Sequence, residues 1–175
     1  INEYNFTCVG RFDESKRHDL LVRLVYELKL NGIKVNLKLI GTGINLENIK
    51  KLTFELGVNT NVNFLRNLSH YQLAKVFSNT DIYLQPSMRE GVPNALAEAM
   101  ASGCCCIARD VGGVSDLIND KINGYLFNND NELTTLVKKV LELDNFTLRK
   151  NARKKTIEIF DNQSNINKLI KHLNE

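Results

Sequence analysis

Two acidic and two basic side chains have the types and spacing to hold an anionic, hydroxyl-rich ligand. Glu90 and Glu98 lie in the stretch Ser87 to Gly103, S-M-R-E-G-V-P-N-A-L-A-E-A-M-A-S-G, and Arg11 and Lys16 follow Val9-Gly10 near the amino end. Around Glu90 the backbone suits close approach. Gly91 carries no side chain, and Pro93 fits the first turn of a helix, where a missing N–H costs nothing. The N–H groups of Val92, Asn94 and Ala95 are then expected to be free and to favour an anion. Glu98 falls on the second turn of that helix, among Ala95, Leu96, Ala97, Ala99, Met100 and Ala101. So apolar a helix is expected to be buried almost all round, and a carboxylate on it then needs a partner. Each carboxylate also has a plain reading: Glu90 as a solvated loop charge, Glu98 as an exposed helix position. A hydrolytic acid–base pair fits less well. Eight helical residues rise about 12 Å, whereas glycosidase carboxylates sit roughly 5–9.5 Å apart, so the spacing better suits two ends of one extended ligand.

Arg11 and Lys16 are either solvated cations or a diphosphate clamp, Arg offering a bidentate fork and Lys a point charge. His18, His70 and His172 lie apart and read as surface helix residues, so no nucleophile set forms around them. The four cysteines are Cys8 and the run Cys104-Cys105-Cys106. Neighbours on a strand point to opposite faces, which makes a contiguous run a poor metal cage. They read as small hydrophobes in a reduced, cytosolic setting.

The elements that position these residues alternate. Strands are expected over Tyr4 to Gly10, Val35 to Ile40, Asn61 to Leu65, Asp81 to Gln85, Cys104 to Ala108 and Gly124 to Phe127. The helices between them carry apolar residues at helical spacing, such as Leu20, Leu21, Leu24, Val25 and Leu28. Asn31-Gly32 stops the first of these, and the second runs from about Leu46 to Leu56. Ser69 is expected to cap a helix over His70 to Phe77. Gly112-Gly113 opens a short helix. Asn131 to about Leu143, Phe146 to Phe160 and Ser164 to Leu173 finish the chain as helices. Right-handed crossovers then give an α/β fold, a doubly wound parallel sheet of about six strands with helices on both faces. Ligands of such sheets bind beyond the carboxyl ends of the strands. Gly10-Arg11, Gly41-Thr42-Gly43, Arg66-Asn67, Ser87 to Asn94 and Gly112-Gly113 all fall there.

Length and charge narrow the function classes. The chain has 175 residues and a net charge of +3, enough for one domain with a core. It begins with Ile1, and we expect a piece of a longer protein. No run reaches membrane-span length. The cations are spread along helices, with one cluster from Arg149 to Lys155, which argues against a dedicated nucleic-acid protein.

The segment E-G-V-P-N-A-L-A-E closely resembles the E-x7-E signature of the retaining glycosyltransferases of family 4. The following A-M-A-S-G and V-G-G-V-S-D-L-I-N-D-K-I-N-G-Y-L-F are similar to the same family, and the likeness runs from about Phe6 to Phe127. It implies the Rossmann-like C-terminal, donor-binding domain of a two-domain GT-B enzyme, with the acceptor domain absent. By this resemblance Arg11 and Lys16, after Gly10, hold the donor diphosphate and serve catalysis. Glu90 contacts the transferred sugar as a catalytic residue, and Glu98 accepts bonds from the ribose hydroxyls. The backbone of Gly91, Val92, Pro93, Asn94, Ala95 and Leu96 faces sugar and phosphates. Arg66 stands where the family usually has Gly in an F-L-G turn near the base. Arg17-His18 replaces the family's usual Gly after Lys16, so Arg17 is a rival for the clamp. Gly112-Gly113 matches the family's Gly pair, with Asp116 where Glu is common, and both read as structural.

The resemblance also implies a reaction. A sugar moves with retention from a nucleoside diphosphate sugar, a UDP-sugar favoured over GDP-mannose, to a saccharide or lipid-linked acceptor in bacterial surface polysaccharide synthesis. No cofactor or metal is expected, since no D-x-D motif stands at the donor edge. The expected setting is cytoplasmic, at the inner face of the membrane through the missing domain, and the isolated domain is expected to be inactive. Three rivals stay open. A nucleotide-sugar epimerase needs acid–base carboxylates and histidines that are not found. A dinucleotide dehydrogenase needs G-x-G-x-x-G, and Gly41-Thr42-Gly43-Ile44-Asn45-Leu46 lacks the third Gly. A nucleotide-binding module without catalysis is the third.

Overall fold

The computed structural model describes residues 3–161. Six strands form one all-parallel sheet: β1 Glu3–Val9, β2 Lys34–Ile40, β3 Val62–Leu65, β4 Ile82–Gln85, β5 Cys105–Arg109 and β6 Tyr125–Phe127. Their spatial order is β3-β2-β1-β4-β5-β6. The helices are α1 His18–Leu30, α2 Leu46–Glu55, α3 His70–Ser78, α4 Asn94–Ala101, α5 Val114–Leu117, α6 Leu133–Leu141 and α7 Phe146–Phe160. Short 3-10 turns occupy Glu14–Lys16 and Asp130–Glu132. The expected helix over Ser164 to Leu173 lies outside the described residues.

The pleat sorts the core into two layers. Phe6, Cys8, Leu37, Leu39, Ile82, Leu84, Cys105 and Ile107 pack with α1, α2 and α6 on one face. Tyr83, Cys104, Cys106 and Ala108 pack with α3, α4 and α5 on the other. The cysteine run therefore splits across the sheet, as period-2 geometry requires. All four thiols are buried and free. Burial pushes Cys8, Cys104 and Cys105 up to about 12 and Cys106 well above its ordinary value, so they act as core hydrophobes.

The strand order reverses between β1 and β4, which lie side by side with Phe6 opposite Ile82 and Thr7 opposite Tyr83. β1 continues to β2 on one side and β4 to β5 on the other. The loops leaving β1 and β4 thus turn to opposite faces and open a crevice at their carboxyl ends, the usual ligand position in such sheets. The β1–α1 loop carries Arg11 and Lys16, and the β4–α4 loop carries Glu90. At the far edge Ser69 caps α3 as expected. Its Oγ accepts from the Gln72 amide at 3.3 Å, and the Gln72 side chain accepts from the Ser69 amide at 2.9 Å.

Candidate functional site

Lys16 and Glu90 meet directly over the β1/β4 boundary. Lys16 Nζ donates to Glu90 Oε1 at 2.7 Å, with the side chains 24% and 10% exposed. Beneath them lie the buried Cys8 and Tyr83, both of which feel the Glu90 charge. Burial, far more than that charge, raises the Tyr83 phenol well above its ordinary value, and its hydroxyl donates to Gln85 at 3.0 Å. The Met88 amide donates to the Ser15 carbonyl at 2.7 Å, a second tie between the same two loops. Arg11 is exposed on the β1–α1 loop, and among the described residues its guanidinium meets no carboxylate within salt-bridge distance. Glu90 is therefore neither solvated nor alone, and Lys16 is not a free cation.

The turn into α4 differs in detail from the expectation. Pro93 precedes the helix as its N-cap with φ −81° and ψ 76°. That is the geometry of an inverse γ-turn, and it is closed by the Asn94 amide donating to the Val92 carbonyl at 2.9 Å. The Asn94 N–H is consequently not available to a ligand. Among the described residues the amides of Ala95 and Leu96 take no carbonyl, as first-turn amides do not. Gly91, Val92 and Asn94 are exposed, whereas Pro93 and Leu96 are buried, so Leu96 can offer only backbone.

Glu98 is also a correction. Its helix buries Leu96, Ala97, Ala99 and Met100 but leaves one open stripe through Asn94, Ala95, Glu98 and Ala101. The Glu98 side chain is 41% exposed, and its nearest charge partner is His70 Nδ1 at 3.8 Å, on a ring 95% exposed. Short Ala side chains let the helix sit close to the sheet without enclosing the whole cylinder. His18, by contrast, is not a surface residue. It is 2% exposed, stacks on Phe12 with centroids 4.2 Å apart, and has no partner for its buried Nε2. Burial lowers it from 6.5 to about 4, so it is neutral at pH 7.

Arg66 is exposed beside a recess of about 270 Å³ lined by Gly41, Leu46, Lys50, Phe64, Leu65 and Arg66. Gly10 lies under the Lys16 stem, where an added Cβ would be 3.7 Å from Lys16 Cδ. Among the described residues no group of three His, Cys, Asp or Glu side chains could hold a metal ion. No helix among them is long and apolar enough to cross a membrane.

Comparison with known proteins places the chain in a family. The family model described as glycosyl transferases group 1 matches residues 2–159. The chain belongs to the group 1 glycosyl transferases. Its relatives include an uncharacterized glycosyltransferase of Haemophilus influenzae, 32% identical over 70% of this chain and 35% of that protein. The putative glycosyltransferase EpsF of Bacillus subtilis is 34% identical over 67% of this chain and 29% of that protein. The D-inositol 3-phosphate glycosyltransferase of Mycobacterium tuberculosis is 31% identical over 72% and 26%. The chain thus spans about a third or less of these relatives' lengths. Among solved structures, a point mutant of S. aureus TarM in complex with Fondaparinux, alpha-GlcNAc-glycerol and UDP superposes with TM-score 0.83 at 24% identity, over 98% of this chain and 35% of that one. The catalytic domain of cholesterol-alpha-glucosyltransferase from Helicobacter pylori gives 0.79 at 22%, over 89% and 98%. The fold is that of the C-terminal domain of GT-B glycosyltransferases.

Within this group 1 glycosyl transferase domain, the glycine pair has a physical role. A Cβ on Gly112, at φ +51°, would collide with the Glu90 carbonyl oxygen, and one on Gly113 would collide with that of Gly91. The β5–α5 loop thus lies against the backbone that presents Glu90. Arg17 occupies the left-handed region at φ 50°, ψ 42°, where a non-Gly residue costs roughly 1–2 kcal/mol. The resemblance makes it a rival for the clamp, but its guanidinium is paired with Asp19 at 3.0 Å and Asp130 at 2.8 Å. Asp130 also binds Arg109, at the end of β5. Neither Arg109 nor Asp130 was expected at this edge. Arg109 ends an apolar run as an isolated cation, and Asp130 sits in an Asn-rich turn, so the only available signal was their position at the end of β5 and after β6.

Proposed function

We propose that the chain is the donor-binding C-terminal domain of a retaining, family 4 glycosyltransferase, and that it holds a nucleoside diphosphate sugar in the β1/β4 crevice. The observation that carries this is the meeting of Lys16 with Glu90, on the loop that opens α4, at the topological switch point, with Arg11 exposed on the same β1–α1 loop as Lys16. In the reaction the nucleoside diphosphate leaves, and its charge grows in the transition state. Arg11 and Lys16 stabilise that charge without a metal. Glu90 faces the sugar once the diphosphate draws Lys16 away from it, and Glu98, on the open stripe of α4, accepts from the ribose diol. The base packs near Arg66.

UDP is the favoured nucleotide. TarM and Anabaena HepE, which share this fold, have each been crystallised with UDP. The acceptor, a saccharide or lipid-linked saccharide of the bacterial surface, binds a separate N-terminal domain, so residues 1–175 alone transfer no sugar. The enzyme works in the cytoplasm at the inner face of the membrane. A thermal-shift series with UDP, GDP and ADP tests the reading. At 100 times its dissociation constant the correct nucleotide adds about 2.7 kcal/mol of stability, and no response to any of the three overturns it.

A further inference from the structure

Lys16 is held from two sides. Its ammonium meets Glu90, and its chain neighbour Arg17 reaches away to Asp130 in the loop after β6. Asp130 Oδ2 pairs with Arg17 Nη2 at 2.8 Å, while Oδ1 accepts from Arg109 Nη2. Arg109 is 10% exposed on its side chain, and its other donors are also committed. Nε donates to the Pro86 carbonyl at 3.1 Å and Nη1 to the Asn128 carbonyl at 2.8 Å, and the guanidinium lies 4.9 Å from the Phe127 ring centroid. Pro86 opens the segment that leads to Glu90. The loop carrying Asp130 is itself fixed, because Glu132 accepts from the amides of Asn128 and Asn129 at 3.0 and 3.3 Å.

We propose that Asp130 is a positioning residue for the diphosphate clamp: by joining Arg17 to Arg109 it ties the loop of Lys16 to the loop of Glu90. This rests on the donor-site reading above. A glycine at position 17 would take the left-handed conformation without strain, but it could not reach Asp130. The arginine there adds a tie that crosses from the β1–α1 loop to the end of β5. Burial opposes ionisation of Asp130, but its bonds from Arg109 and Arg17 outweigh it and hold the carboxyl below its ordinary value. The clasp therefore stays charged at neutral pH. Asp130 acts through Arg17 and Arg109 and has no direct part in the transfer.

The test uses the intact protein with Asp130→Asn, Arg17→Gly and the conservative Asp130→Glu. Calorimetry reads UDP and uridine affinities, and hydrogen exchange reads the segments 13–18 and 86–92. Asp130→Asn and Arg17→Gly should each weaken UDP about three- to thirty-fold and uridine by less than about twofold. Both segments should exchange faster, and Asp130→Glu should recover most of the UDP affinity. Unchanged UDP affinity, or equal losses for UDP and uridine, overturns the proposal. If the wild type binds no nucleotide, the donor-site reading fails separately. Exchange then decides the clasp alone: faster exchange in both segments supports it, and a change confined to one overturns it.

Discussion

Lys16 Nζ lies 2.7 Å from Glu90 Oε1, although 74 residues separate them in the chain. One of these residues was expected at the diphosphate and the other at the sugar. On the proposed donor-site reading, their contact means that a diphosphate must compete with Glu90 for Lys16.

That competition separates the two cations. Lys16→Ala and Arg11→Ala should each weaken UDP by about 1.5–3 kcal/mol, the range for bonds to charged groups, with uridine little changed. Stability should respond differently. Arg11 is exposed, so Arg11→Ala should stay within about 0.5 kcal/mol. Lys16→Ala strands a nearly buried carboxylate and should cost about 1–3 kcal/mol. Restoring that loss with Glu90→Ala in the same chain would give a coupling of about 0.5–3 kcal/mol. Urea unfolding of the four proteins measures it, and additive losses would refute the pair.

Glu98 can be tested on its ligand role without confusion from folding. His70 is almost fully exposed, and exposed pairs contribute about 0–1 kcal/mol. Glu98→Gln should therefore leave thermal stability almost unchanged. The wild type should prefer UDP over 2′-deoxy-UDP by about 1.5–3 kcal/mol, and the variant should lose most of that preference. An unchanged ribo/deoxy ratio would remove Glu98 from the ribose site.

Gly113→Ala isolates the contact between two loops. Gly113 has φ −74°, which any residue adopts, so the penalty is the clash of the new Cβ with the Gly91 carbonyl. We expect a loss of about 1–3 kcal/mol and a displaced Glu90 loop, read as weakened UDP binding. A stable variant with normal UDP affinity would show that the loops move independently.

His18 gives the domain an acid-side sensitivity. Its folded value of about 4 lies below the unfolded 6.5, so the unfolded chain binds the extra proton between them. Its contribution is complete above about pH 6.5 and is lost as pH falls toward 4, by at most about 3 kcal/mol. Asp130 and Glu132 are lowered carboxylates and lose their contribution only at lower pH, through and below the usual carboxylate range. His18→Phe keeps a ring to stack on Phe12 and should flatten the stability profile between pH 6.5 and 5. Urea unfolding across that window checks it, and parallel profiles for variant and wild type would rule His18 out.

The alternation of strands and helices, the split of Cys104-Cys105-Cys106 across the sheet and the Ser69 cap were all legible in the sequence. Each depends on period or on neighbours a few residues apart. So was the carboxyl edge as the place for Arg11, Lys16 and Glu90, because a parallel sheet puts every such turn on one side. The tertiary structure alone decided which turns touch. Lys16 meets Glu90 because β1 and β4, distant in the chain, are neighbours at the reversal of strand order. Burial was misread for the same reason. Glu98 lies among alanines yet faces outward, and His18 lies among charges yet stacks inside on Phe12, since composition does not say which side of a helix has a neighbour. Arg17, Arg109 and Asp130 come from two loops and a strand end with no shared motif. Their clasp exists only because the loop after β1, the end of β5 and the loop after β6 meet at one edge within reach of an arginine side chain.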